Sequence, residues 1–491
     1  MDILEKIESL ALQTPDHSAY ISGERTLTYG ELAQQSDVVA AFLRSNAPWQ
    51  KQHPPIAVYG HKEPEMLIAF LGCIKAGHAY VPVDASIPDE RARDIVELSH
   101  AATTLTPENI AEIVRNNPLT KSGPWRAPKG DEPFYIMFTS GSTGRPKGVI
   151  ITADNVGSFL HWMLDEQKFI TQAEVFLDQA PYSFDMSVMS VFPSLVTGNT
   201  LWSISKDDIL DPARMYRRLA GSHITTWAST PSFARLCLAE KTFAEPLLPG
   251  IKRFLFCGET LSPHVASSLM ERFPHAEIWN TYGPTEATVA TTSVRVDQGL
   301  IRKYDRIPLG YPRSQGKVRI MRDGVELPVG DSGEIVITGP HVSPGYLDDP
   351  VLTQCVFFET DGIRSYRTGD RGYVRDGLLF FEGRLDDQIK LHGYRIEIGD
   401  IETNLRMLPG VHDAAVIVKT ENGTPNSLAA FVILTSGHTA RDPTIARSLR
   451  AQLGKRLPLY MVPRTIRFVG HFPLTANGKV DRTQLAEHHH A

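Results

Sequence analysis

A glycine-rich loop with several hydroxyl side chains is the first part of the sequence whose residue types can perform chemistry. The segment TSGSTGRPKG, residues 139–148, holds three glycines, four hydroxyl side chains and two cations, and it follows the predicted strand Tyr135–Phe138. Glycines let backbone N–H groups approach anionic oxygens, and hydroxyl groups and Lys147 add further donors and charge. No Ser or Thr follows Lys147, so the spacing differs from the Walker pattern. The loop predicts polyphosphate binding, and a flexible surface loop is the alternative.

The segments around this loop predict an α/β fold. From Pro55 onward, short β-branched or aromatic runs alternate with helical stretches, which is typical of βαβ units in a largely parallel sheet. After about residue 300, dense turn signals separate short strands, which indicates antiparallel sheet. After Arg384, a segment of about a hundred residues has the pattern of a small α+β domain.

Composition argues against several other classes of protein. The 491 residues include 50 basic and 56 acidic side chains, a net charge of −6, so neither nucleic acid nor an anionic membrane is an expected partner. No uncharged apolar run approaches the roughly 18 residues that span a bilayer, and the N-terminus lacks the pattern of a signal peptide. The cysteines lie far apart, without a zinc-binding spacing. These features predict a cytoplasmic protein with reduced thiols.

Five motifs, in order along the chain, resemble those of the adenylate-forming superfamily, which includes acyl-CoA synthetases, luciferases and the adenylation domains of non-ribosomal peptide synthetases. They are the loop 139–148, NTYGPTEAT (280–288), YRTGD (366–370), GRLDDQIKLHGYRIE (383–397) and NGKVDR (477–482). Four further segments, GHAYVPVDASIP, QAPYSFDMSVM, STPSF and FLFCGE, are more closely similar to the D-alanine:D-alanyl carrier protein ligases.

The resemblance implies an acetyl-CoA synthetase-like architecture of two domains. Residues 1–385 are expected to form a large N-terminal adenylation core, with βαβ-type parallel sheets and a distorted antiparallel sheet or barrel. Residues 386–491 are expected to form a small, mobile α+β C-terminal lid. Asp386 is the expected hinge, on which the lid turns between adenylation and thioester formation.

The resemblance also implies which residues bind ATP. The phosphates are expected to contact Thr139, Ser140, Gly141, Ser142, Thr143, Gly144 and Lys147. Adenine is expected to contact Gly258, Glu259, Asn280 and Tyr282, and Thr281 is also expected to bind ATP. The next residues of that motif, which lead to the α-phosphate, are Gly283, Pro284 and Thr285. The ribose is expected to contact Asp370, with Phe381, Glu382, Gly383 and Arg384 beside it.

The residue types suit these roles. Tyr282 offers an aromatic face for adenine and Asn280 can satisfy its amino group, whereas a core tyrosine is the alternative for Tyr282. Asp370 supplies two acceptor oxygens for the ribose hydroxyls. Glu286 is expected to help bind Mg²⁺, because one carboxylate with phosphate oxygens and water forms a normal Mg²⁺ shell.

The residues implied to contact the amino acid are Lys479, Asp185, Cys257 and Val289. Lys479 stands where an exposed lysine is ordinarily a solvated surface charge, but in the family's last motif it bridges the substrate carboxylate and the α-phosphate. Asp185 is the expected partner of the substrate ammonium, because a buried carboxylate needs a compensating cation; an N-capping aspartate is the alternative. Cys257 is expected to line the side-chain pocket, which is also compatible with an ordinary buried cysteine.

The implied activity is ATP-dependent activation of D-alanine as D-alanyl-AMP and its transfer to the thiol of a D-alanyl carrier protein, for D-alanylation of lipoteichoic acid. The chain ends nine residues after Arg482, so the phosphopantetheine-bearing carrier is expected in trans. One alternative is a stand-alone adenylation enzyme for glycine, L-alanine, serine or proline. Another is a catalytically silent nucleotide or amino-acid sensor.

Overall fold

The computed structural model describes residues 2–45, 49, 53–117, 125–141, 144–171, 173–391, 393–421, 424–435, 443–473, 480–482 and 484–486. The chain forms two compact units. Unit 1 comprises Met1–Asp84, Ser99–Phe138 and Gly148–Leu385, and unit 2 comprises Ala85–Leu98, Thr139–Lys147 and Asp386–Ala491. Two short segments that precede residue 386 therefore belong to unit 2, and the expected division into domains at residues 385 and 386 stays a prediction.

The α-helices of the described residues, in chain order, are α1 (Ile3–Gln13), α2 (Tyr29–Ser45), α3 (Pro64–Ala76), α4 (Asp89–Leu98), α5 (Pro107–Asn116), α6 (Ala153–His161), α7 (Val188–Val196), α8 (Lys206–Leu210), α9 (Pro212–Ala220), α10 (Pro231–Leu238), α11 (Pro263–Arg272), α12 (Gln298–Lys303), α13 (Pro350–Val356), α14 (Ile398–Arg406) and α15 (Pro443–Leu453). Shorter helical turns are the π-turn Trp162–Glu166 and the 3₁₀ turns Asp185–Ser187, Thr285–Ala287 and Leu459–Met461.

The strands of the described residues are β1 (Ser18–Ser22), β2 (Arg25–Thr28), β3 (Ile56–Gly60), β4 (Tyr80–Asp84), β5 (Thr104–Leu105), β6 (Pro133–Thr139), β7 (Lys147–Thr152), β8 (Val175–Asp178), β9 (Thr200–Ser203), β10 (Thr226–Ser229), β11 (Arg253–Phe256), β12 (Glu277–Tyr282), β13 (Thr292–Val296), β14 (Tyr311–Pro312), β15 (Lys317–Arg322), β16 (Val325–Glu326), β17 (Gly333–Thr338), β18 (Gly345–Tyr346), β19 (Phe357–Thr360), β20 (Ile363–Arg375), β21 (Leu378–Arg384), β22 (Gln388–Leu391), β23 (Tyr394–Glu397), β24 (Val411–Glu421), β25 (Thr424–Leu434) and β26 (Thr465–Phe468).

One sheet of unit 1 has the strand order β18-β7-β6-β4-β3-β5 and shows the βαβ pattern that the sequence predicts. Strands β3, β4, β5 and β6 pair in parallel. Helix α3 connects β3 to β4, and all of its residues are buried. Pro64 stands in its first turn, and Gly77 ends it with a φ of 85°, a left-handed conformation that glycine adopts without strain.

A second, nine-stranded sheet of unit 1 has the order β14-β13-β12-β11-β10-β8-β9-β1-β2. Strands β8, β10, β11 and β12 are parallel neighbours, so their carboxyl ends meet at one edge of the sheet. The segments that follow β8, β11 and β12 carry residues 185, 257–259 and 283–289 of the predicted site. Ligands of open α/β sheets bind outside the carboxyl ends of the strands. This edge is therefore where the topology gathers most of the predicted residues of unit 1.

Antiparallel pairing dominates the end of unit 1. Strand β13 pairs antiparallel with both β12 and β14. The remaining sheet, of order β16-β15-β17-β20-β19 with β21 paired to β20, is antiparallel in every described pair. The change of sheet type expected after about residue 300 is confirmed, although this run of antiparallel strands begins slightly earlier, at Thr292, and β1 already pairs antiparallel with β2.

Unit 2 contains a three-stranded sheet, β24-β25-β26, and the hairpin β22-β23. Helices α14 and α15 pack against this sheet through a buried apolar core that includes Ile401, Leu405, Val416 and Leu453. Helix α4 also belongs to this unit. Its Arg91 donates from Nη2 to Asp400 Oδ2 at 2.9 Å, which ties two segments 309 residues apart in the chain.

A buried ion pair in unit 1 joins the end of β3 to the end of β8. Lys62 Nζ lies 2.8 Å from Asp178 Oδ1 and donates to Ala180 O at 2.6 Å, and the side-chain exposures of Lys62 and Asp178 are 2% and 0%. Tyr182 donates its hydroxyl to Asp178 Oδ2 at 2.9 Å. Burial lowers the pKa of Lys62, and Asp178 acts in the opposite direction. Each charge of the pair therefore depends on the other.

We expect Lys62→Met to lower the free energy of unfolding by about 3–5 kcal/mol, because it leaves the Asp178 carboxylate buried without a counter-charge. The double variant Lys62→Met/Asp178→Leu should recover most of that loss, since an apolar pair of similar volume can replace a buried ion pair. Arg25→Met, which removes an ion pair whose arginine side chain is 58% exposed, is the control and should cost less than about 1 kcal/mol. Urea unfolding checks all three; equal losses in the single and double variants would contradict this account.

Candidate active site

Asn280, in strand β12, presents a buried acceptor. The residue is 2% exposed, and its Nδ2 atom donates to Pro308 O at 2.7 Å. Its Oδ1 atom is buried and has no hydrogen-bond partner among the described residues. An unsatisfied buried acceptor costs about 1–3 kcal/mol. A ligand that brings a donor to this atom, such as the amino group of adenine, would remove that cost.

Tyr282 and Asp370, the residues expected at adenine and ribose, are directly connected. The Tyr282 hydroxyl donates to Asp370 Oδ2 at 2.5 Å, and Arg384 Nη1 donates to Asp370 Oδ1 at 2.7 Å. Arg384 Nη1 also donates to Thr368 O at 3.1 Å. Burial and the charge of Asp370 raise the pKa of Tyr282 well above its usual value, so the phenol stays neutral. The structure thus brings together three of the residues expected to bind the nucleoside.

The residues that follow β11 are fixed by contacts to neighbouring strands. Gly258 has a φ of 88°, a left-handed conformation that few other residues adopt. Glu259 accepts through Oε2 from the Ser232 backbone N–H, at the start of α10, at 2.9 Å. Thr281 donates its hydroxyl to Phe256 O at 2.9 Å. The Glu259 side chain is engaged with the start of α10. The backbone of this segment is therefore the part that is expected to pass over adenine.

The turn after β12 packs closely on itself. A Cβ atom at Gly283 would lie 2.7 Å from Ala290 Cα, so no larger residue fits there without a shift. Pro284 is the N-cap of the 3₁₀ turn Thr285–Ala287, in which Thr285 is 7% exposed. This packing places the Thr285 hydroxyl and the Glu286 carboxylate one residue apart at the start of a short helical turn.

Glu286, the expected metal ligand, is fully buried. Tyr346 donates its hydroxyl to Glu286 Oε1 at 2.8 Å, and the Ser343 backbone N–H donates to Glu286 O at 2.9 Å. Among the residues that the structure describes, no group of three or more His, Cys, Asp or Glu side chains could hold a metal ion. A single hard carboxylate fits a Mg²⁺ ion that takes most of its ligands from phosphates and water. Sequence reasoning missed Tyr346, which lies in a segment interpreted only as turns.

Strand β21 carries the other residues expected beside the ribose. Phe381 accepts through its backbone carbonyl from Arg306 Nη1 at 3.4 Å. Glu382 pairs with Arg371 at 3.3 Å. Gly383 has a φ of 154°, and a Cβ atom there would meet nothing within 4 Å. Glu382 is thus engaged at the surface, and only Arg384 of this strand is seen to contact Asp370.

Asp185 is 7% exposed and begins the 3₁₀ turn that leads into α7. The N-cap positions of this turn and of α7 are Phe184 and Ser187, so the structure does not place Asp185 at either cap. The charge of Asp185 adds to burial in raising the pKa of Tyr135 well above its usual value. The Tyr135 hydroxyl is buried without a hydrogen-bond partner among the described residues. Asp185 therefore lies in a polar spot within an otherwise apolar core.

Cys257 and Val289, both expected to line the substrate pocket, contact each other. Cys257 Sγ donates to Val289 O at 3.5 Å, and the two residues are 3% and 2% exposed. A Cβ atom at Gly258 would lie 3.5 Å from Met186 Cε, which shows that the segment carrying Asp185 passes beside the end of β11. All three residues expected at the amino acid in unit 1 therefore lie on neighbouring segments. All the described cysteines are free.

The described part of the predicted phosphate loop belongs to unit 2, except for its last residue, Gly148, which belongs to unit 1. Thr139 Oγ1 is buried without a hydrogen-bond partner among the described residues. Ser140 Oγ donates to Arg395 O at 2.9 Å and accepts from the Glu397 backbone N–H at 3.3 Å. Lys147 begins β7. Burial raises the pKa of Glu397, and Arg395 and Lys147 act in the opposite direction. Within the described part of the chain, one hydroxyl of the loop thus has no partner, whereas the next is held by strand β23.

The glycines of the loop have structural reasons to be glycine. Gly144 has a φ of 84°, and its N–H donates to Gly141 O at 3.2 Å. A Cβ atom at Gly141 would collide with Arg145 O. The remaining loop residues, Ser142 and Thr143, lie outside the described residues, as does Lys479. The expected hinge residue, Asp386, is exposed and accepts through Oδ1 from the Gln388 backbone N–H at 3.1 Å.

Other concave features of unit 1 are separate from these residues. A cavity of about 520 Å³ borders Lys129 and His161, and another of about 760 Å³ borders Arg322 and Arg371. Neither is lined by a residue of the predicted site. Across the described ranges, the helices are all too short or too polar to cross a membrane.

Comparison with known proteins identifies the family of this chain. The chain matches the family model described as AMP-binding enzyme over residues 7–347 and that of the AMP-binding enzyme C-terminal domain over residues 400–479. It belongs to the AMP-binding enzyme family, as the resemblance implied. A D-alanine–D-alanyl carrier protein ligase of Bacillus thuringiensis (strain Al Hakam) is 47% identical over 502 residues, covering 99% of this chain and 99% of the relative.

Solved structures show the same fold. The Vibrio cholerae adenylation domain AlmE, in complex with glycyl-adenosine-5'-phosphate, has a TM-score of 0.82 at 23% identity and covers 99% of this chain and 98% of its own. Holo-PA1221, a protein containing adenylation and PCP domains, has a TM-score of 0.82 at 26% identity, with coverage of 99% and 84%. The predicted fold class, α/β with parallel sheets and a small C-terminal α+β part, is confirmed.

Proposed function

We propose that this chain is a D-alanine:D-alanyl carrier protein ligase that uses ATP and acts in the cytoplasm, in the D-alanylation of lipoteichoic acid. The observation that carries the proposal is the 47% identity to a ligase of that name over 99% of both chains. The match extends over nearly the whole chain, which supports a shared overall reaction and not only a shared way of binding the nucleotide.

The first half-reaction joins the amino acid to AMP. A carboxylate oxygen of D-alanine attacks the α-phosphorus of ATP, a P–O bond forms, and the bond to the β-phosphate breaks to release pyrophosphate. Such a reaction depends on alignment and charge neutralisation rather than on covalent help from the protein. We assign Asn280 to the adenine amino group, Asp370 to the ribose hydroxyls and Asp185 to the substrate ammonium.

The other roles concern the phosphates. We assign Thr139, Ser140 and Lys147 to the β- and γ-phosphates and Thr285 to the α-phosphate. Glu286 would hold Mg²⁺, which when bound supplies positive charge to the phosphate oxygens. Lys479 would stabilise the charge that develops on the α-phosphate in the transition state.

The second half-reaction transfers the acyl group. The thiol of a phosphopantetheine-bearing carrier protein attacks the carbonyl carbon of D-alanyl-AMP, a C–S bond forms and AMP leaves. Incubating the chain with ATP, Mg²⁺, D-alanine and such a carrier should increase the carrier's mass by one alanyl group. The gain must disappear when ATP is omitted. A carrier that stays unmodified while adenylate forms would contradict the transfer step.

The unsatisfied Asn280 Oδ1 atom gives a prediction that needs no variant. Purine riboside triphosphate, which lacks only the amino group of ATP, should have a KM about tenfold or more higher than ATP, because Asn280 then stays unpaired. A 7-deaza analogue of ATP, which retains the amino group, is the control and should behave like ATP. Pyrophosphate release measures both, and equal KM values for ATP and the purine analogue would place Asn280 away from adenine.

A further inference from the structure

The turn that carries Val289 is strained. Thr288 and Val289 have φ angles of 50° and 68°, both in the left-handed region. A β-branched residue there is a genuine outlier, and such strain costs about 1–3 kcal/mol unless the surroundings hold it in place. Strained residues of this kind cluster at functional sites. Something must therefore fix this turn in a conformation that valine does not favour.

His341 holds the turn at two points. Thr288 donates its hydroxyl to His341 O at 2.7 Å, and the imidazole Nε2 atom shares a hydrogen bond with Thr291 Oγ1 at 3.2 Å. These three residues are fully buried. Through its backbone carbonyl, His341 thus bonds to the residue before the pair Val289–Ala290. Through its side chain it bonds to the residue after that pair.

His341 is itself rigidly placed. A Cβ atom at Gly339 would lie 2.6 Å from His341 Cε1, and one at Gly316 would lie 2.9 Å from the same atom. Burial and the nearby charge of Arg313 lower the pKa of His341 well below its usual value. The imidazole is therefore neutral at physiological pH, where it acts through hydrogen bonding and packing.

The turn that His341 holds places Val289 beside Cys257. Val289 is 2% exposed, and its carbonyl accepts from Cys257 Sγ at 3.5 Å. A Cβ atom at Gly283, just after β12, would lie 2.8 Å from the same Val289 O atom, so the turn also packs closely against the end of β12. These contacts, rather than the backbone conformation that valine prefers, therefore set the position of the Val289 side chain.

We infer that His341 is a positioning residue that fixes Val289 and thereby sets selectivity between amino acids that differ by about one methyl-sized volume. The inference rests on the proposed function, in which Val289 and Cys257 line the amino-acid pocket. Discrimination of that size typically reaches about 10- to 200-fold in kcat/KM. Variants that release Val289 should therefore reduce this discrimination between amino acids without affecting the binding of the nucleotide.

The test uses valine in place of each threonine, because this change removes the hydroxyl and keeps the volume. Thr288→Val, Thr291→Val and the double variant are assayed by pyrophosphate exchange with D-alanine and L-alanine at saturating ATP. The double variant should lower the ratio of kcat/KM for D-alanine to that for L-alanine about fivefold or more, with the KM for ATP within about twofold of wild type. Thr338→Val is the control, since Thr338 is also buried and shares a hydrogen bond with Ser365 at 2.8 Å.

The outcomes separate the two proposals. If the threonine variants lose thermal stability as Thr338→Val does but keep the wild-type ratio, His341 is only structural and the inference is overturned. If the ratio falls in Thr338→Val as well, selectivity follows general stability and the inference is likewise overturned. If the wild-type chain exchanges with neither enantiomer, the proposed function fails and takes the inference with it.

Discussion

Lys479→Ala is expected to lower kcat for adenylate formation by about 100- to 1,000-fold, the range observed when one group that stabilises transition-state charge is removed. Transfer of a preformed D-alanyl-adenylate to the carrier should continue at nearly the wild-type rate. The reason is that the proposed role of Lys479 is at the α-phosphate in the first half-reaction, whereas the second breaks only the bond to AMP at the acyl carbon. Lys479 lies outside the described residues, so this prediction rests on the sequence motif NGKVDR.

The two half-reactions are measured separately. Pyrophosphate exchange reports adenylation, and single-turnover transfer from isolated D-alanyl-adenylate reports thioester formation. Lys455→Ala, at an exposed lysine of unit 2, is the matched control and should leave both unchanged. Equal losses in both half-reactions would refute the assignment of Lys479 to adenylation alone.

Asp185→Asn is expected to raise the KM for the amino acid by about 10- to 100-fold and to leave the KM for ATP within about threefold. The substitution keeps the shape of the side chain but removes the negative charge that is proposed to pair with the substrate ammonium, an interaction worth about 1.5–3 kcal/mol when one partner is charged. The site supports this expectation, because Asp185 is 7% exposed and begins a turn beside the Cys257–Gly258 segment.

Asp208→Asn is a control for general damage. Asp208 is fully buried and ion-paired to Arg214 at 2.6 Å, so its loss should reduce stability without a selective change in either KM. Steady-state kinetics with each substrate varied in turn give both values. An Asp185→Asn enzyme whose KM for ATP rises as much as that for D-alanine would show that Asp185 is structural.

Local patterns in the sequence were sufficient for much of the fold. The alternation that begins at Pro55 corresponds at its start to β3, α3 and β4, because burial on both faces leaves apolar runs in these elements. The glycines of the predicted phosphate loop were equally visible: Gly144 adopts a positive φ, and Gly141 has no room for a side chain.

Contacts between distant segments were not predictable in this way. Tyr346 reaches Glu286 across 60 residues, and His341 reaches Thr291 across 50 residues. Nothing in the types of these residues distinguishes them from other buried polar side chains. Likewise, no local signal places Ala85–Leu98 and Thr139–Lys147 in unit 2, because contacts such as Arg91–Asp400 connect segments that are hundreds of residues apart.

Substrate identity depended on similarity rather than on residue chemistry. The burial of Asp185 and the contact between Cys257 and Val289 are compatible with any small amino acid that carries an ammonium group. Chirality follows neither from spacing nor from these distances. The likeness to a ligase named for D-alanine is what favours that substrate over glycine, L-alanine, serine or proline.

Pyrophosphate exchange with a panel of amino acids, at saturating ATP and Mg²⁺, tests the proposed activity most directly. The panel should contain D-alanine, L-alanine, glycine, L-serine and L-proline. We expect kcat/KM for D-alanine to exceed that for each of the others by about tenfold or more, within the range that one methyl-sized difference can provide. A higher value for another amino acid would identify a different adenylation enzyme, and exchange with none of them would contradict the proposal that this chain is an amino-acid ligase.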